Sequence, residues 1–278
     1  MKALINKIIE FSNVDGPGNR LAIFFQGCPF SCLYCHNPET INHCNNCGDC
    51  VLICPSSALI KVDNKVIYQR ALCISCDTCI KTCCYSSDPR VKEYELEELL
   101  EIINKYKSYI RGITVSGGES LSQSDFVIEL FKEVKKLDLT CLIDTNGYYD
   151  FKELDDLLDY CDGVMLDIKA VDDNYHQELT GKSNVQVLKN LEYLSEKNKL
   201  LEVRTVLLPK QKENNEKTIS YVLKMINNQV DYKLIRYRPY GVNEKGIKCF
   251  GEETIKEEEY LTYVDYGKSL GAKKLVLK

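Results

Sequence analysis

Residues 21–35 read LAIFFQGCPFSCLYC, an apolar run from Leu21 that stops at Gly27 and is followed at once by Cys28, Pro29, Cys32 and Cys35. A short apolar run bounded by Gly and Pro predicts a buried strand. Three thiols spaced Cys-x3-Cys-x2-Cys can hold three irons of a four-iron cubane and leave the fourth iron without a protein ligand. Soft thiolates suit iron–sulfur clusters. An open iron is what a cluster needs to bind a substrate rather than only pass electrons. A structural zinc site is the alternative and wants four closed ligands, with His36 as the fourth donor.

Outward from this stretch the texture changes twice. From residue 93 onward, helical and strand patterns alternate. VKEYELEELLEIINKYKSYI (91–110), QSDFVIELFKEVKKL (123–137), FKELDDLLDYC (151–161), NVQVLKNLEYLSEKN (184–198), EKTISYVLKMINNQ (216–229) and a segment around 254–270 predict helices. GITVSGG (112–118), TCLIDTNG (140–147), GVMLDIKA (163–170), LLEVRTVLLP (200–209), YKLIRYRPYG (232–241) and KKLVLK (273–278) predict strands. Such alternation implies parallel β/α units. With 21–27 as the first strand there are about six, fewer than a full eight-fold barrel. The expected fold class is α/β, a partial, open (β/α)6 barrel formed by residues 1–38 and 91–278 and interrupted after its first strand by residues 39–90.

In such folds the functional groups sit at the C-terminal ends of the strands. Here Ser116-Gly117-Gly118-Glu119, Asp144-Thr145-Asn146, and Asp167 with Lys169 follow three successive apolar runs, with Arg204 inside the fifth strand and Arg238 near the end of the sixth. Gly and Asp also mark ordinary turns. Polar motifs at several successive strand ends are harder to explain that way.

The interruption at 39–90 has little apolar periodicity and two matching cysteine runs, Cys44-x2-Cys47-x2-Cys50-x3-Cys54-Pro55 and Cys73-x2-Cys76-x2-Cys79-x3-Cys83. Each is the bacterial ferredoxin run, in which the fourth cysteine ligates the other cluster. That rule pairs Cys44, Cys47 and Cys50 with Cys83, and Cys73, Cys76 and Cys79 with Cys54. Cys84 stands where the second run would have Pro, so a switch between Cys83 and Cys84 stays open. A small domain held by metal rather than by a core is expected.

Eleven of the 15 cysteines of this 278-residue chain fall in these three groups. The odd total and the absence of an export signal in MKALINKIIEFSNVDGPGNR point to reduced thiols and a cytoplasmic protein. A net charge of −5 gives no reason to expect nucleic acid or an anionic membrane surface.

The stretch VDGPGNRLAIFFQGCPFSCLYCHNPET (14–40), with Tyr34 before the last cysteine, resembles the radical S-adenosylmethionine (SAM) superfamily and, within it, the glycyl-radical-enzyme activases such as the pyruvate formate-lyase activase. ITVSGGE (113–119), TCLIDTNG (140–147), CDGVMLDIK (161–169) and HQELTG (176–181) match that group in order, and the insert makes the YjjW family the most similar. The resemblance implies three [4Fe–4S] clusters. Cys28, Cys32 and Cys35 would hold the catalytic one, whose open iron SAM chelates. Tyr34, Gly117, Gly118, Glu119, Asn146, Lys169 and Arg204 would bind SAM, and Asp144, Thr145, Met165 and Asp167 a monovalent cation, Na+ or K+. Asp15 and Gly16 would meet the partner's glycine loop. SAM would break reductively into methionine and a 5′-deoxyadenosyl radical that takes a glycine Cα hydrogen. No Arg-Val-x-Gly block is present, so that glycine is expected in trans, on a YjjI-like glycyl radical enzyme, with a flavodoxin or ferredoxin as electron donor and the activase monomeric. YRPYGV (237–242) departs from the family's Pro-Tyr-His-type segment, leaving Tyr240 a bare candidate. A radical SAM enzyme for a small molecule or peptide, or an electron-transfer iron–sulfur protein, is the competing expectation.

Overall fold

The first strand of the reading, Arg20–Phe25, turns Leu21, Ile23 and Phe25 onto one face, all essentially inaccessible, and Arg20 and Ala22 onto the other. Alternation of this kind with both faces buried is the signature of a central strand in a parallel α/β sheet. The computed structural model describes residues 1–277, and Lys278, at the end of the expected terminal strand, lies outside them.

In chain order the strands are β1 Lys2–Ser12, β2 Arg20–Phe25, β3 Leu59–Val62, β4 Lys65–Tyr68, β5 Lys92–Glu95, β6 Gly112–Gly117, β7 Thr140–Thr145, β8 Gly163–Asp167, β9 Leu200–Leu207, β10 Asp231–Arg236 and β11 Leu275–Leu277. Nine of them form one sheet in the order β11-β10-β9-β8-β7-β6-β2-β1-β5. From β2 to β11 every pairing is parallel, while β1 runs antiparallel to β2 and to β5. The order does not close on itself, so the sheet is open, as expected of a partial barrel. Helices α3 Leu96–Tyr106, α4 Ser124–Lys135, α5 Asp155–Tyr160, α6 Asp173–Thr180, α7 Val185–Glu196, α8 Lys212–Ile226, α9 Glu244–Phe250 and α10 Glu257–Ser269 connect or follow the strands. Leu99, Ile103, Phe126, Leu130, Leu191 and Val222 pack from them into the main core with Ile113, Val115, Ile143 and Val203 of the sheet.

Four differences from the sequence reading have local causes. Residues 2–12, which the sequence left without a strand, pair on both sides, and a register shift between Ile5 and Lys7 blurs their period-two pattern. The expected helix from 91 starts only at Leu96. Its Glu95 and Glu98 close a capping box, the Glu98 carboxylate accepting from the Glu95 amide at 2.9 Å, and 92–95 is drawn into the sheet by β1. The segment 173–180 is helical because Asp172 caps it, accepting from the Tyr175 amide at 2.9 Å. Asn243 starts a further helix at 244 in the same way.

Between β2 and β5 lies a lobe with the hairpin β3–β4, a two-stranded sheet apart from the main one, and two short helices, α1 Asp49–Leu52 and α2 Thr78–Thr82. Asp63 and Asn64 both take positive φ at the hairpin turn. The lobe's buried apolar cluster is only Cys50, Leu59 and Cys79 among the described residues. Gln26 ties the lobe to the sheet, donating through its side-chain amide to the carbonyls of Glu39 at 2.8 Å and Asn42 at 2.6 Å.

Candidate active site

The cysteine loop leaves the C-terminal end of β2 and is braced by main-chain bonds. The Cys28 amide donates to Ile41 O at 2.9 Å, Ser31 to Thr180 O at 2.8 Å and Leu33 to Leu179 O at 2.8 Å. The last two come from the end of α6, the HQELTG block, whose bracing role the sequence reading did not assign. Burial pushes all three thiols up, Cys32 to about 12 with Lys169 opposing. A thiolate here therefore needs strong positive charge at the sulfur, which a metal provides. Three thiols in one loop, near enough for Cys32 and Cys35 to act on Cys28, suit the chemistry of an iron–sulfur cubane with one open iron. His36, the donor a zinc site would require, is instead bonded through Nε2 to Arg238 O at 3.0 Å.

Gly117 and Gly118 cross directly behind this loop. A Cβ on Gly118 would lie 2.4 Å from Gly27 O and 2.6 Å from Thr40 O, so only glycine lets the two backbones pass. Glu119, read from the sequence as a group facing the SAM ammonium, turns inward. It is 1% exposed. Its carboxylate accepts from Thr145 Oγ1 at 2.9 Å, the Asn146 amide at 2.8 Å and the Leu121 amide at 3.2 Å. Burial pushes it up to about 7 against those bonds. Any contact from this block to a ligand thus runs through its backbone. Asn146, held by Glu119, donates from its side-chain amide to Cys28 Sγ at 3.5 Å.

On the inner face, β7, β8 and β9 bring charge together. Arg204 donates to Asp144 at 2.9 Å and Glu202 at 2.5 Å, and its other amino group lies 2.8 Å from Met165 Sδ. Ser116 donates to Asp144 at 3.0 Å. Lys169 reaches Asp167 at 3.1 Å and lies 5.8 Å from the Tyr34 ring centroid. Burial opposes the Lys169 charge, but Asp167, Tyr34 and Cys32 raise its pKa well above the ordinary range. Burial also pushes the Asp144 carboxyl up, with Arg204 working against it.

The four residues expected around a monovalent cation are therefore engaged elsewhere. Arg204 and Lys169 neutralise Asp144 and Asp167, and the Thr145 hydroxyl serves Glu119. Among the described residues no three His, Cys, Asp or Glu side chains are placed to share a single metal ion. Asp15 and Gly16 are not brought to the cysteines. They sit at the opposite, N-terminal end of β2, where Asp15 accepts from Ser12 at 2.5 Å and its carbonyl from Thr114 at 2.6 Å. Tyr240 is exposed, and Tyr34 is buried against Phe250 and Tyr237.

In the lobe, one cavity is lined by Cys54, Cys73, Cys76 and Cys79, and a second by Cys44, Cys47, Cys50 and Cys83. Cys79 and Cys84 also reach the second cavity.

A model of the radical SAM superfamily matches residues 22–222. The trans-4-hydroxy-L-proline dehydratase activating enzyme of Clostridioides difficile is 32% identical, over 93% of this chain and 93% of its own. The chain belongs to the radical SAM glycyl-radical-enzyme activating family. Other members are similar over most of their length. The choline trimethylamine-lyase activating enzyme of Oleidesulfovibrio alaskensis is 31% identical, over 87% of this chain and 86% of its own. The isethionate sulfite-lyase activating enzyme of the same organism is 29% identical, over 85% and 84%. The fold recurs in QueE from Escherichia coli (TM-score 0.53, 13% identity, 100% of this chain and 94% of that one). It recurs also in SuiB from Streptococcus suis (TM-score 0.57, 14% identity, 91% and 47%). No helix among the described residues is long and apolar enough to cross a membrane.

Proposed function

We propose that this radical SAM activating enzyme works from the Cys28/Cys32/Cys35 loop, set against the charged inner face of β7–β9. The observation that carries the reading is the three-thiol loop with the largely buried Lys169 acting on Cys32 and Cys35, and Arg204 on the neighbouring strand β9. Cys28, Cys32 and Cys35 would hold a [4Fe–4S] cluster that, with SAM bound beside it, would supply the electron for cleavage of SAM to methionine and a 5′-deoxyadenosyl radical able to take hydrogen from a partner's glycine Cα. The chain's own residues bind and orient. Lys169 and Arg204 would receive the SAM carboxylate, the backbone of Gly117–Glu119 the ammonium, and Tyr34 would pack below Lys169. Asn146 would hold the cluster from the side of Cys28. A monovalent cation at Asp144, Thr145, Met165 and Asp167 would require Arg204 to leave Asp144 and Met165.

Residues 39–90 would be a ferredoxin-like domain with two further [4Fe–4S] clusters, as in the YjjW family. They would accept electrons from a flavodoxin or ferredoxin, in a cytoplasmic monomer whose open sheet edge admits the partner. The partner would be a YjjI-like glycyl radical enzyme, whose glycine loop would have to reach the Cys28/Cys32/Cys35 end of the strands rather than Asp15 and Gly16. Anaerobic reconstitution should give about twelve irons per chain, as three four-iron clusters require. Reduction with SAM should give 5′-deoxyadenosine, lost in Cys32→Ala. Twelve irons without 5′-deoxyadenosine would defeat the reading.

A further inference from the structure

The two cysteine runs of the lobe are matched in almost everything that sets a cluster's potential. Cys44 and Cys73 are half-buried, Cys47 and Cys76 exposed, Cys50 and Cys79 buried, and Cys54 and Cys83 half-buried. Each first cysteine accepts one backbone bond at 3.4 Å, from Asn46 to Cys44 and from Ser75 to Cys73. With ligand type and exposure equal, what remains is hydrogen bonding to sulfur and nearby charge. Those differ.

Cys76 accepts from Thr78 Oγ1 at 3.3 Å. The Tyr68 and Arg90 side chains line the same cavity as Cys73, and Ser56 Oγ lies 3.8 Å from Cys54 Sγ. Among the described residues the other set has one side-chain partner, Ser87, 3.3 Å from Cys83. At the position equivalent to Thr78, between the second and third cysteines, the first run carries Asp49, a negative acceptor rather than a donor. Arg90 is clamped by Asp88 at 2.9 Å and Asp77 at 2.8 Å. Its guanidinium bonds go to those carboxylates, whose charges offset its own, so it adds little free charge to the cavity. Hydrogen bonds to a sulfur stabilise the more negative, reduced cluster and raise its potential.

We infer that Tyr68 and Thr78 make the Cys54/Cys73/Cys76/Cys79 cluster the higher-potential member of the pair. This rests on the reading that both cavities hold a four-iron cluster. It is also the outer of the two in connectivity. Cys44 and Ser87 adjoin the 41–42 segment that bonds to Cys28 and to Ser86, whereas the hairpin strand β4 and α2 enclose the second set. The first electron taken up by the lobe then rests on the outer cluster.

The test uses the full chain carrying Cys28→Ala, Cys32→Ala and Cys35→Ala, so that only the lobe's clusters remain, followed by EPR during a potentiometric titration. The inference expects two reduction steps. Tyr68→Phe and Thr78→Val should each lower the first step and leave the second in place, while Ser87→Ala should lower only the second. Asp49→Thr should raise the second. A first step unmoved by both Tyr68→Phe and Thr78→Val, at about eight irons per chain, overturns the inference alone. Displacement of the second step instead also overturns it. Iron well below that content in the parent overturns the two-cluster reading and the inference with it.

Discussion

The side-chain amide of Asn146, at the end of β7, donates to Cys28 Sγ, at the end of β2, across 3.5 Å. Its other side-chain atom accepts from the Tyr148 amide at 3.0 Å, and its backbone amide is bound by Glu119, so the donor is aimed from three directions. Bonds of this kind tune a cluster as much as its ligands do. Asn146→Ala should leave iron content unchanged, lower the potential of the catalytic cluster and slow 5′-deoxyadenosine formation by about 10-fold. An unchanged potential would contradict the role.

Glu119 gives a pH signature. Its carboxyl is raised to about 7 by burial, against about 4.3 in an unfolded chain. The folded state then binds the proton more tightly. Its stabilising contribution is full below the unfolded value and is lost as pH rises through about 7. Between pH 5 and 8 the wild type should lose stability relative to Glu119→Gln, with parallel melting profiles as the opposing result.

Arg204 compensates two carboxylates at once. Arg204→Ala leaves Asp144 with only the Ser116 hydroxyl in a largely buried site, while Glu202 keeps Lys233, at a cost of about 3 kcal/mol, seen as a fall in Tm. SAM binding, read by calorimetry, should weaken at least about 10-fold, since one charge-assisted bond is worth ~1.5–3 kcal/mol. Arg204→Lys should restore little, because an ammonium cannot reproduce the guanidinium fork.

Gly118→Ala would drive a methyl group into Gly27 O and Thr40 O. Both neighbours are backbone and already bonded, Gly27 O to the Glu119 amide at 2.8 Å and Thr40 O to the Gly27 amide at 2.8 Å. The expected loss is about 3 kcal/mol or more, with reduced iron retention. A variant as stable as the wild type would show that the crossing can open.

Much of this architecture was legible because the apolar runs of β2 and β6–β10 are each closed by a polar residue, Gly or Pro. That marks both strand and strand end without tertiary information. The strands at the sheet's antiparallel edge were not legible. KEYE (92–95) carries helix-forming residues and becomes a strand only through pairing with Lys2–Ile5. The hydrogen-bond partners of the expected site residues were not legible. Glu119 turns to Thr145 and Asn146 because a long-range crossing at Gly118 buries it. No local pattern encodes that. The support of Ser31 and Leu33 by the carbonyls of Thr180 and Leu179 is main-chain bonding, to which side-chain identity is silent.

The central claim is that Cys28, Cys32 and Cys35 serve to place a radical on another protein's glycine. The direct measurement is EPR of the reconstituted, reduced enzyme with SAM and the glycyl radical protein encoded nearest its gene. The account predicts a doublet split by the glycine α-hydrogen, with 5′-deoxyadenosine, and neither in Cys32→Ala. A doublet of equal size from Cys32→Ala, or 5′-deoxyadenosine with no protein radical on any glycyl radical enzyme offered, would contradict it.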